Sequence, residues 1–468
     1  MMEKAAHLEL KKGDEVEITV DSVSFGGQGV GRIDDFVVFV NGAITGDTVR
    51  AKIFKKKKSF AEAKTLEIVI PSPNRTAARC QYFGICGGCK MQDVDYTAQL
   101  EFKRLNIQDV FQRIGGFDHL SIPSPLGSPK IFHYRNKMEF TFGDRAWLTE
   151  RHADAEPSQF VLGMHVPQRY DKVLDINACY LQSALASEIV NWVRTFAQQS
   201  GLPPYSVQTY DGFWRFLVIR QCEHTPGLMI NIITKEENLQ LMSRLKTEIL
   251  KSFPQITSLI NGVSKKQSQV AFSDYELLLF GQPVIIEKLG NYEFEISSNS
   301  FFQTNTLAAE VLYNIILEFS QLQGDEVLYD LYCGTGSIAL YLSSHVRKVI
   351  GIELIENAVV NARKNMIRNN VGNCEFISGD MRIALQTLNH RPDVIVVDPP
   401  RSGMHDDVTK TLLEIHAPKI IYVSCNPSTQ ARDLSVLCKE KYRIENIQPV
   451  DMFPHTYHIE NVVSLLRN

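Results

Sequence analysis

The sequence has no apolar run approaching the roughly 18–20 residues of a membrane span, so no transmembrane helix is expected. Its opening stretch, MMEKAAHLELKKGDEVEI, lacks the apolar segment of a secretory signal. Neither internal repeats nor low-complexity tracts occur, which argues against solenoid and fibrous classes. An excess of either charge is also missing: 49 Lys and Arg against 53 Asp and Glu leave a formal net charge of −4. The overall field therefore does not attract phosphate, and any nucleic-acid binding needs local basic patches. A paired disulfide framework is absent as well. The nine cysteines are an odd number, with three clustered (Cys80, Cys86, Cys89) and six scattered (Cys179, Cys222, Cys333, Cys374, Cys425, Cys438). That pattern fits a reducing compartment, so a cytoplasmic location without a membrane partner is expected.

What is present is a chain of 468 residues, 44% hydrophobic and 22% charged, long enough for two or three globular domains. Residues 8–70 read as a small all-β unit. Short alternating segments (DEVEITV, VGRID, FVVFV, DTVRAKIFKK and FAEAKTLEIVI) are separated by the turn sequences SFGGQGVG and NGAITGD. Strands of this length and spacing predict a small barrel. Within it, FKKKKSF (54–60) is either a solvated strand face or a phosphate-contacting patch flanked by aromatics. PSPNRTAARC then reads as a linker. Residues 71–290 are expected to form a central mixed α+β domain. It holds the cysteine cluster, then a helical pattern over 95–116 expected to lie against the third domain. Strand-rich segments follow, among them KMEFTF, FVLGMHV, RFLVIRQC and GLMINIIT.

The third domain is assigned to residues 291–468. TLAAEVLYNIILEFSQL reads as a helix. The apolar strands EVLYDLY, VRKVIGIE, CEFISGD, DVIVVDPP and KIIYVSCN then alternate with helices, which predicts βαβ units and a Rossmann-like parallel sheet. YRIENIQPVDMF and IENVVSLLR have no long helix between them and are expected to pair antiparallel at one edge. The first strand runs into YDLYCGTGSIALYL (329–342), where Gly334 and Gly336 permit a tight turn and close approach of a ligand. Glu353 ends the next strand, where a carboxylate can take two ribose hydroxyls. Two cofactors compete for this loop. Gly334-x-Gly336-x-x-Ala339 formally fits a dinucleotide fingerprint, which would make the chain a nicotinamide-dependent (NAD) oxidoreductase. DLYCGTG also resembles the first motif of S-adenosylmethionine methyltransferases. Asp330, ahead of the glycines, suits a cationic sulfonium and amino group better than a pyrophosphate.

In doubly wound sheets, ligands bind beyond the carboxyl ends of the strands. Asp398 ends the fourth strand in VVDPPRSG, Cys425 ends the fifth in KIIYVSCNP, and Glu460 precedes the last in DMFPHTYHIENVV. Taken singly, the cysteine reads as a small buried hydrophobe, the aspartate as a turn or cap residue, and the glutamate as a surface charge. Gathered at the ligand edge of one sheet, the three read as chemistry.

The motifs DLYCGTG, DPPRSG, SCNPSTQARD and MFPHTYHIE occur in the order seen in RNA uracil-C5 methyltransferases. NSFFQTNT (299–306) resembles that family's Phe-x-Gln-x-Asn segment, and the N-terminal barrel resembles a TRAM domain. The resemblance covers nearly the whole chain and is most specific after residue 297, with no motif matched between about 185 and 260. It implies S-adenosyl-L-methionine as cofactor, Cys425 as the nucleophile that adds to uracil carbon 6, and Glu460 as the base that removes the carbon-5 proton. It places Asp398 and Gln303 where uracil and cofactor are held. Tyr332, Ser337, Glu353 and Asp380 match the cofactor pocket beside Asp330, Gly334 and Gly336. The family can carry Asn at position 337, and Ser here departs from that. Members with both a TRAM-like barrel and a cysteine cluster typically modify large-subunit ribosomal RNA, and some act on transfer RNA. The resemblance thus implies RNA as partner, with 23S ribosomal RNA the expected substrate and transfer RNA the alternative; a monomer is expected.

CQYFGICGGCK gives Cys-x5-Cys-x2-Cys at Cys80, Cys86 and Cys89, and Cys179 in DINACYLQ can supply a fourth thiol. Zinc and iron–sulfur clusters both accept four thiolates, and spacing does not choose between them. The family resemblance implies a [4Fe–4S] cluster. Barrel and cluster taken alone leave a further reading, a non-enzymatic iron–sulfur RNA-binding protein. Beside the cluster, HYRNKMEFTF (133–142) is expected to place Arg135 and Lys137 on one strand face, either solvated or part of an RNA track.

Overall fold

The computed structural model describes residues 10–147, 160–167, 169–267, 269–388 and 391–468; residues 8 and 9 of the expected barrel lie outside the described residues. Alternation of small β-branched residues with charged ones builds the first sheet. Its strands are β1 (Glu15–Thr19), β2 (Ser22–Val23), β3 (Gly29–Ile33), β4 (Phe36–Asn41), β5 (Thr48–Lys56) and β6 (Phe60–Ile70). They are ordered β1-β5-β6-β4-β3-β2. β1 runs directly into β2 at the far end of that order, and β3 approaches β1 so closely that a Cβ on Gly31 would collide with the Thr19 carbonyl oxygen, so the two ends of the order meet. The sheet curls around Val16, Ile18, Val38, Val40, Val49 and Ile53, the alternate residues of its strands. The stretch expected as a linker is pinned to this barrel. Buried Asp47 accepts the backbone N–H groups of Ile44 (2.8 Å) and Ser72 (2.9 Å) and pairs with Arg75 at 2.6 Å. A carboxylate taken out of water requires such partners.

Next comes α1 (Tyr96–Arg113), followed by a sheet of β7 (Lys137–Gly143), β8 (Val161–Val166), β9 (Arg169–Asp175), β10 (Trp214–Gln221), β11 (Leu228–Thr234), β12 (Ser258–Val263) and β13 (Tyr275–Gly281). Its order is β13-β12-β11-β10-β7-β8-β9. Helices α2 (Ala184–Gln199) and α3 (Leu239–Ser252) bury Ile189, Val193, Phe196, Leu245 and Ile249 against Trp214, Leu217 and Ile219. One expectation is corrected here. Arg135 does not share a strand face with Lys137, because the Arg135 and Asn136 N–H groups donate to the Leu181 and Thr304 carbonyls. The strand begins at Lys137, with the Asn136 carbonyl accepting the Gln221 N–H at 2.8 Å as the last bond of that ladder, so Arg135 lies beyond the paired residues.

A hairpin of β14 (Val284–Leu289) and β15 (Tyr292–Ser297) crosses the division expected at residue 290. Its Ile285, Leu289, Phe294 and Ile296 share one apolar cluster with Leu312 and Ile316 of α4 (Thr306–Ser320). The remaining strands are β16 (Val327–Leu331), β17 (Lys348–Glu353), β18 (Cys374–Ser378), β19 (Val394–Val397), β20 (Lys419–Ser424), β21 (Tyr442–Val450) and β22 (Glu460–Arg467). They are interleaved with α5 (Ser337–Leu342), α6 (Glu356–Arg368), α7 (Met381–Thr387), α8 (Asp406–Ile415) and α9 (Pro427–Glu440). The order is β18-β17-β16-β19-β20-β22-β21. The first five strands of that order run parallel, and the last two attach antiparallel. Both faces are covered, so successive residues of β16 enter different cores: Leu328 joins α4 and α5, while Val327, Tyr329 and Leu331 join α8 and α9. Ile107, Val110 and Phe111 of α1 lie in this second core, which docks the helix on this sheet. The strand order reverses at β16, with β17 on one side and β19 on the other, and the ligand crevice opens at such a switch point. Among the described residues, no helix is long and apolar enough to cross a membrane.

Candidate active site

Beyond Leu331 the chain turns through Tyr332 (φ 64°), Gly334 (φ 54°) and Gly336 (φ 79°) before α5 begins. A Cβ on Gly336 would stand 2.8 Å from the Phe376 ring and 3.1 Å from Ala362, so glycine is what lets the loop close on its neighbours. At Gly334 the reverse holds: nothing lies within 4 Å of where a Cβ would be, which leaves open space beside the loop. The Gly334 N–H donates to Glu353 Oε2 at 3.1 Å, and Ile355 N–H to Oε1 at 2.9 Å, which fixes the carboxylate at the end of β17. Beneath the loop, buried Asp330 accepts the Ala339 N–H on Oδ2 at 2.9 Å, while Oδ1 has no partner. A buried carboxylate oxygen without a partner beneath this loop fits a ligand that brings positive charge or donors, as a sulfonium with an amino group does. A pyrophosphate there would add repulsion.

Other expected pocket residues already have partners. The hydroxyls of Ser337 and Tyr313 share a hydrogen bond of 2.8 Å. Asp380 caps α7 through the Arg382 N–H at 2.9 Å, and its ion pair with Arg382 holds the carboxyl down at about 2. Gln303 lies half-buried ahead of α4, its backbone carbonyl accepting from Asn136 Nδ2 at 2.8 Å.

Register brings the strand tips together. β20 and β22 are antiparallel, with Ser424 opposite Asn461. Cys425 is the residue after Ser424 and Glu460 the residue before Asn461, and the Glu460 carboxyl is among the charges that act on the Cys425 thiol. β19 lies between β16 and β20 and ends at Val397, so Asp398 is the next residue on the same edge. Its N–H reaches the Leu331 carbonyl at 3.4 Å. The loops behind Asp398 and Cys425 are tied to each other. Asn426 caps α9 and donates its Nδ2 to the Arg401 carbonyl at 2.9 Å, and Thr429 Oγ1 donates to that oxygen at 3.4 Å. Pro399, Pro400 and Pro427 restrict the same loops.

Loss of water dominates the electrostatics. Burial pushes Asp398 up to about 7. Glu460 is raised well above the carboxylate range, first by burial and then by Asp398, with Arg401 opposing. Asp330 is raised by burial, then by Asp398 and Glu353. Burial, Glu460 and Asp398 together push the Cys425 thiol up to about 11, and Arg401 again opposes. The arrangement can therefore present a thiol to an electrophilic carbon and a strong carboxylate base beside it.

Three residues near this edge carried no role in the sequence reading. Arg401 lay inside the quoted DPPRSG, and a cation in a loop among carboxylates was the available signal. Tyr313 is buried on α4 within the fields of Asp398, Asp330 and Glu460, but its helical spacing reads as core. His458 is lowered to about 4 by burial and by Arg401, Lys103 and Arg135, and is therefore neutral at pH 7.

Away from the strand tips, Cys80, Cys86, Cys89 and Cys179 line one cavity, together with side chains such as Phe83, Met138, Met164 and Leu181. Burial, followed by the neighbouring thiols of Cys179, Cys86 and Cys80, pushes Cys89 up to about 12. Donors already point at sulfur: Gly88 N–H to Cys86 Sγ at 3.4 Å, and Gln92 Nε2 to Cys89 Sγ at 3.6 Å. Among the described residues, no group of three or more His, Cys, Asp and Glu side chains is placed to hold a metal ion.

Residues 278–468 match the tRNA (uracil-5-)-methyltransferase family model, and residues 9–66 match the TRAM domain. The chain is 39% identical over 470 residues to an uncharacterized RNA methyltransferase of Chlorobaculum tepidum, covering 98% of this chain and 97% of that one. It is 40% identical over 450 residues to another from Bacteroides thetaiotaomicron, covering 94% and 98%. The crystal structure of Pyrococcus abyssi tRNA (uracil-54, C5)-methyltransferase in complex with S-adenosyl-L-homocysteine superposes with a TM-score of 0.77 at 29% identity, over 96% of this chain and 100% of that one.

Alkylation of Cys425 by iodoacetamide reads its protonation directly, because only the thiolate reacts. Its rate should climb about tenfold per pH unit below the value of about 11. Arg401→Gln removes a cation that favours the thiolate, so the profile should move to higher pH and the rate at pH 8 should fall several-fold. A rate already flat above neutral pH, measured by peptide mass spectrometry, would contradict this electrostatic picture. From the crevice at β16 to the matched relatives, one assignment holds: the chain belongs to the family of S-adenosylmethionine-dependent RNA uracil-5-methyltransferases.

Proposed function

We propose that this enzyme makes 5-methyluridine through a covalent bond between Cys425 and carbon 6 of the target uracil, and that its substrate is 23S ribosomal RNA. The observation that supports the mechanism is the meeting of strand tips: Cys425 directly follows β20, Glu460 opens β22, and the Cys425 thiol lies within the fields of Glu460 and Asp398. Carbon 5 of uracil is a poor nucleophile. Addition of the Cys425 thiolate at carbon 6 gives carbon 5 enolate character, and a thiolate suits this step because it is both a soft nucleophile and a good leaving group. Asp398, raised to about 7, is partly protonated at neutral pH and can donate a hydrogen bond to a ring oxygen that gains charge. S-adenosylmethionine, when bound, supplies the methyl group to carbon 5 from its sulfonium. Asp330 would face that positive charge, and Glu353 the ribose. Glu460 then takes the carbon-5 proton. The C–H electron pair becomes the C5=C6 double bond as the C6–S bond breaks, and Cys425 departs as thiolate. Glu460 must enter this step as its carboxylate, having given its own proton to solvent, and burial then favours the protonated form the step creates.

The target base must leave its stack, at a cost of a few kcal/mol. Local basic groups are available to hold the RNA backbone, in keeping with the modest net charge: Arg401 at the crevice, and Lys56 and Lys57 beside Phe36 and Phe60 on the barrel. Ribosomal RNA is favoured by the family resemblance, in which members with both a TRAM-like barrel and a cysteine cluster typically modify large-subunit ribosomal RNA. Transfer RNA is the second reading, favoured by the likeness to the Pyrococcus abyssi tRNA enzyme over nearly its whole length.

We infer a [4Fe–4S] cluster on Cys80, Cys86, Cys89 and Cys179. Spacing accepts zinc or a cluster alike. The choice of a four-iron cluster rests on the family resemblance, and the four thiols that would hold it line one cavity. The cluster would tether residues 80–89 to Cys179 of the central sheet region, and the methylation steps above need no redox partner.

Three tests follow from this reading. Cys425→Ala should abolish methylation while calorimetry still shows S-adenosylmethionine binding, and Glu460→Gln should accumulate an RNA–protein adduct that survives a denaturing gel. Turnover in the first variant, or no adduct in the second, contradicts the assigned roles. Mass spectrometry of RNA from a strain lacking the gene should show 5-methyluridine lost from 23S ribosomal RNA and retained in transfer RNA; the opposite pattern selects the second substrate. Anaerobically purified protein should be brown, with about four iron and four sulfide per chain, and Cys86→Ser should lose both; a colourless protein with stoichiometric zinc overturns the cluster.

A further inference from the structure

Glu460 is reached through Asp451–Ile459, a segment with no helix or strand that joins β21 to β22. Its shape is imposed from outside, chiefly by α1. Lys103 Nζ donates to Asp451 Oδ1 at 2.7 Å and to the Phe453 carbonyl at 3.2 Å, and both charged side chains are fully buried. Tyr96 OH donates to Asp451 Oδ2 at 3.0 Å and is itself held by the Ser128 N–H at 2.7 Å. The Phe453 N–H closes back on Asp451 Oδ1 at 3.0 Å. Gln99 grips His455 twice: its Oε1 accepts the His455 N–H at 2.8 Å, and its Nε2 meets the ring Nδ1 at 3.2 Å. His455 is in the left-handed region (φ 65°), a conformation that persists in a non-glycine residue where its surroundings impose it. Tyr96, Gln99 and Lys103 are spaced i, i+3, i+7, so they form one polar stripe on a helix that otherwise packs into an apolar core.

A buried ion pair adds little stability over apolar side chains of the same volume; what it fixes is direction. We propose that Lys103 is a positioning residue for the methyl-transfer reaction: with Tyr96 and Asp451 it sets the segment that delivers Glu460 to the carbon-5 proton. This rests on the role of Glu460 as base given above. The step it governs is the last one, in which the proton passes to Glu460, the C–H pair forms the double bond, and the C6–S bond breaks. Thiolate attack and methyl transfer precede it, so a displaced Glu460 leaves methylated RNA attached to Cys425.

The test compares two variants with wild type under single turnover. Lys103→Met alone strands a buried carboxylate and is expected to unfold, so the informative variant is Lys103→Met/Asp451→Asn, which removes both charges. Tyr96→Phe, which removes one hydroxyl and keeps the ring, is the milder probe. The double variant should bind S-adenosylmethionine normally and keep its KM for RNA. Its kcat should fall by roughly tenfold to a hundredfold, the scale expected when a catalytic group is displaced by about 1 Å. A denaturation-resistant, methylated adduct should accumulate, and Tyr96→Phe should show the same pattern more weakly. Wild-type kcat without adduct in either folded variant overturns the proposal. So does a loss of kcat without adduct, because the segment would then act on attack rather than on proton removal. Glu460→Gln serves as the reference: failure to trap adduct there removes Glu460 as the base, whereas trapping there beside silent Lys103 and Tyr96 variants removes this inference alone.

Discussion

Water is withheld from three carboxylates at one end of one sheet, and the rest of the site follows from that. Asp330 lies near the end of β16, Asp398 follows β19 and Glu460 opens β22; Asp330 and Glu460 are buried and Asp398 is half-buried, and loss of water raises all three. Like charges this close in a poorly hydrated place cannot all be ionised, so the site holds protons that exposed carboxylates would have released. The consequence cuts both ways. A carboxylate that prefers its proton is the better base for a weakly acidic carbon. The same burial, with the same carboxylates nearby, makes Cys425 a reluctant thiolate. Arg401 is the counterweight, since its field opposes both shifts. Positive charge arriving beside Asp330 would act in the same sense, which makes the thiol more reactive in a loaded site than in an empty one.

Much of this was legible in the sequence because the relevant signals are local. An apolar strand followed by DLYCGTG needs only its own turn chemistry to announce a ligand loop, and Gly336 against Phe376 shows the constraint that keeps glycine there. Asp398, Cys425 and Glu460 could be placed on one edge because parallel strands share a polarity and the last strand returns antiparallel. What was hidden depends on partners far along the chain. Tyr313 is spaced as a core residue and differs from its neighbours only in what its hydroxyl meets. Arg135 seemed to belong to a strand until the Leu181 and Thr304 carbonyls claimed the backbone around it. Residues 284–297 carry a strand-like pattern that fits either neighbouring unit, and only packing assigns them to the core of α4. Lys103 was hidden most thoroughly. On α1 it falls where a solvated charge would be unremarkable, yet it is fully buried against a carboxylate 348 residues away.

That separation bears on why so much of the chain exists. The proposed chemistry lies on β16 to β22, but the segment leading to Glu460 is touched by the barrel, by the cysteine-bearing stretch and by the region before the central sheet. The barrel reaches it through Phe25, whose ring lies 5.9 Å from that of Tyr457. The cysteine-bearing stretch reaches it through the Lys90 and Met91 N–H groups, which both donate to the His455 carbonyl, at 2.8 and 3.0 Å. The region before the central sheet reaches it through Tyr134, whose hydroxyl donates to the Pro454 carbonyl at 3.1 Å. Two antiparallel strands can be joined by a turn of two residues. Here nine residues intervene, and fixing each backbone opposes folding by about 1–2 kcal/mol. The segment holds itself through short-range bonds such as Phe453 N–H to Asp451 and His458 N–H to Thr456, and barrel, cysteine loop and helix add the bonds that tie it to the rest of the molecule. If Glu460 is the base proposed above, these parts bear on catalysis through where they hold it, independently of any contact they make with RNA.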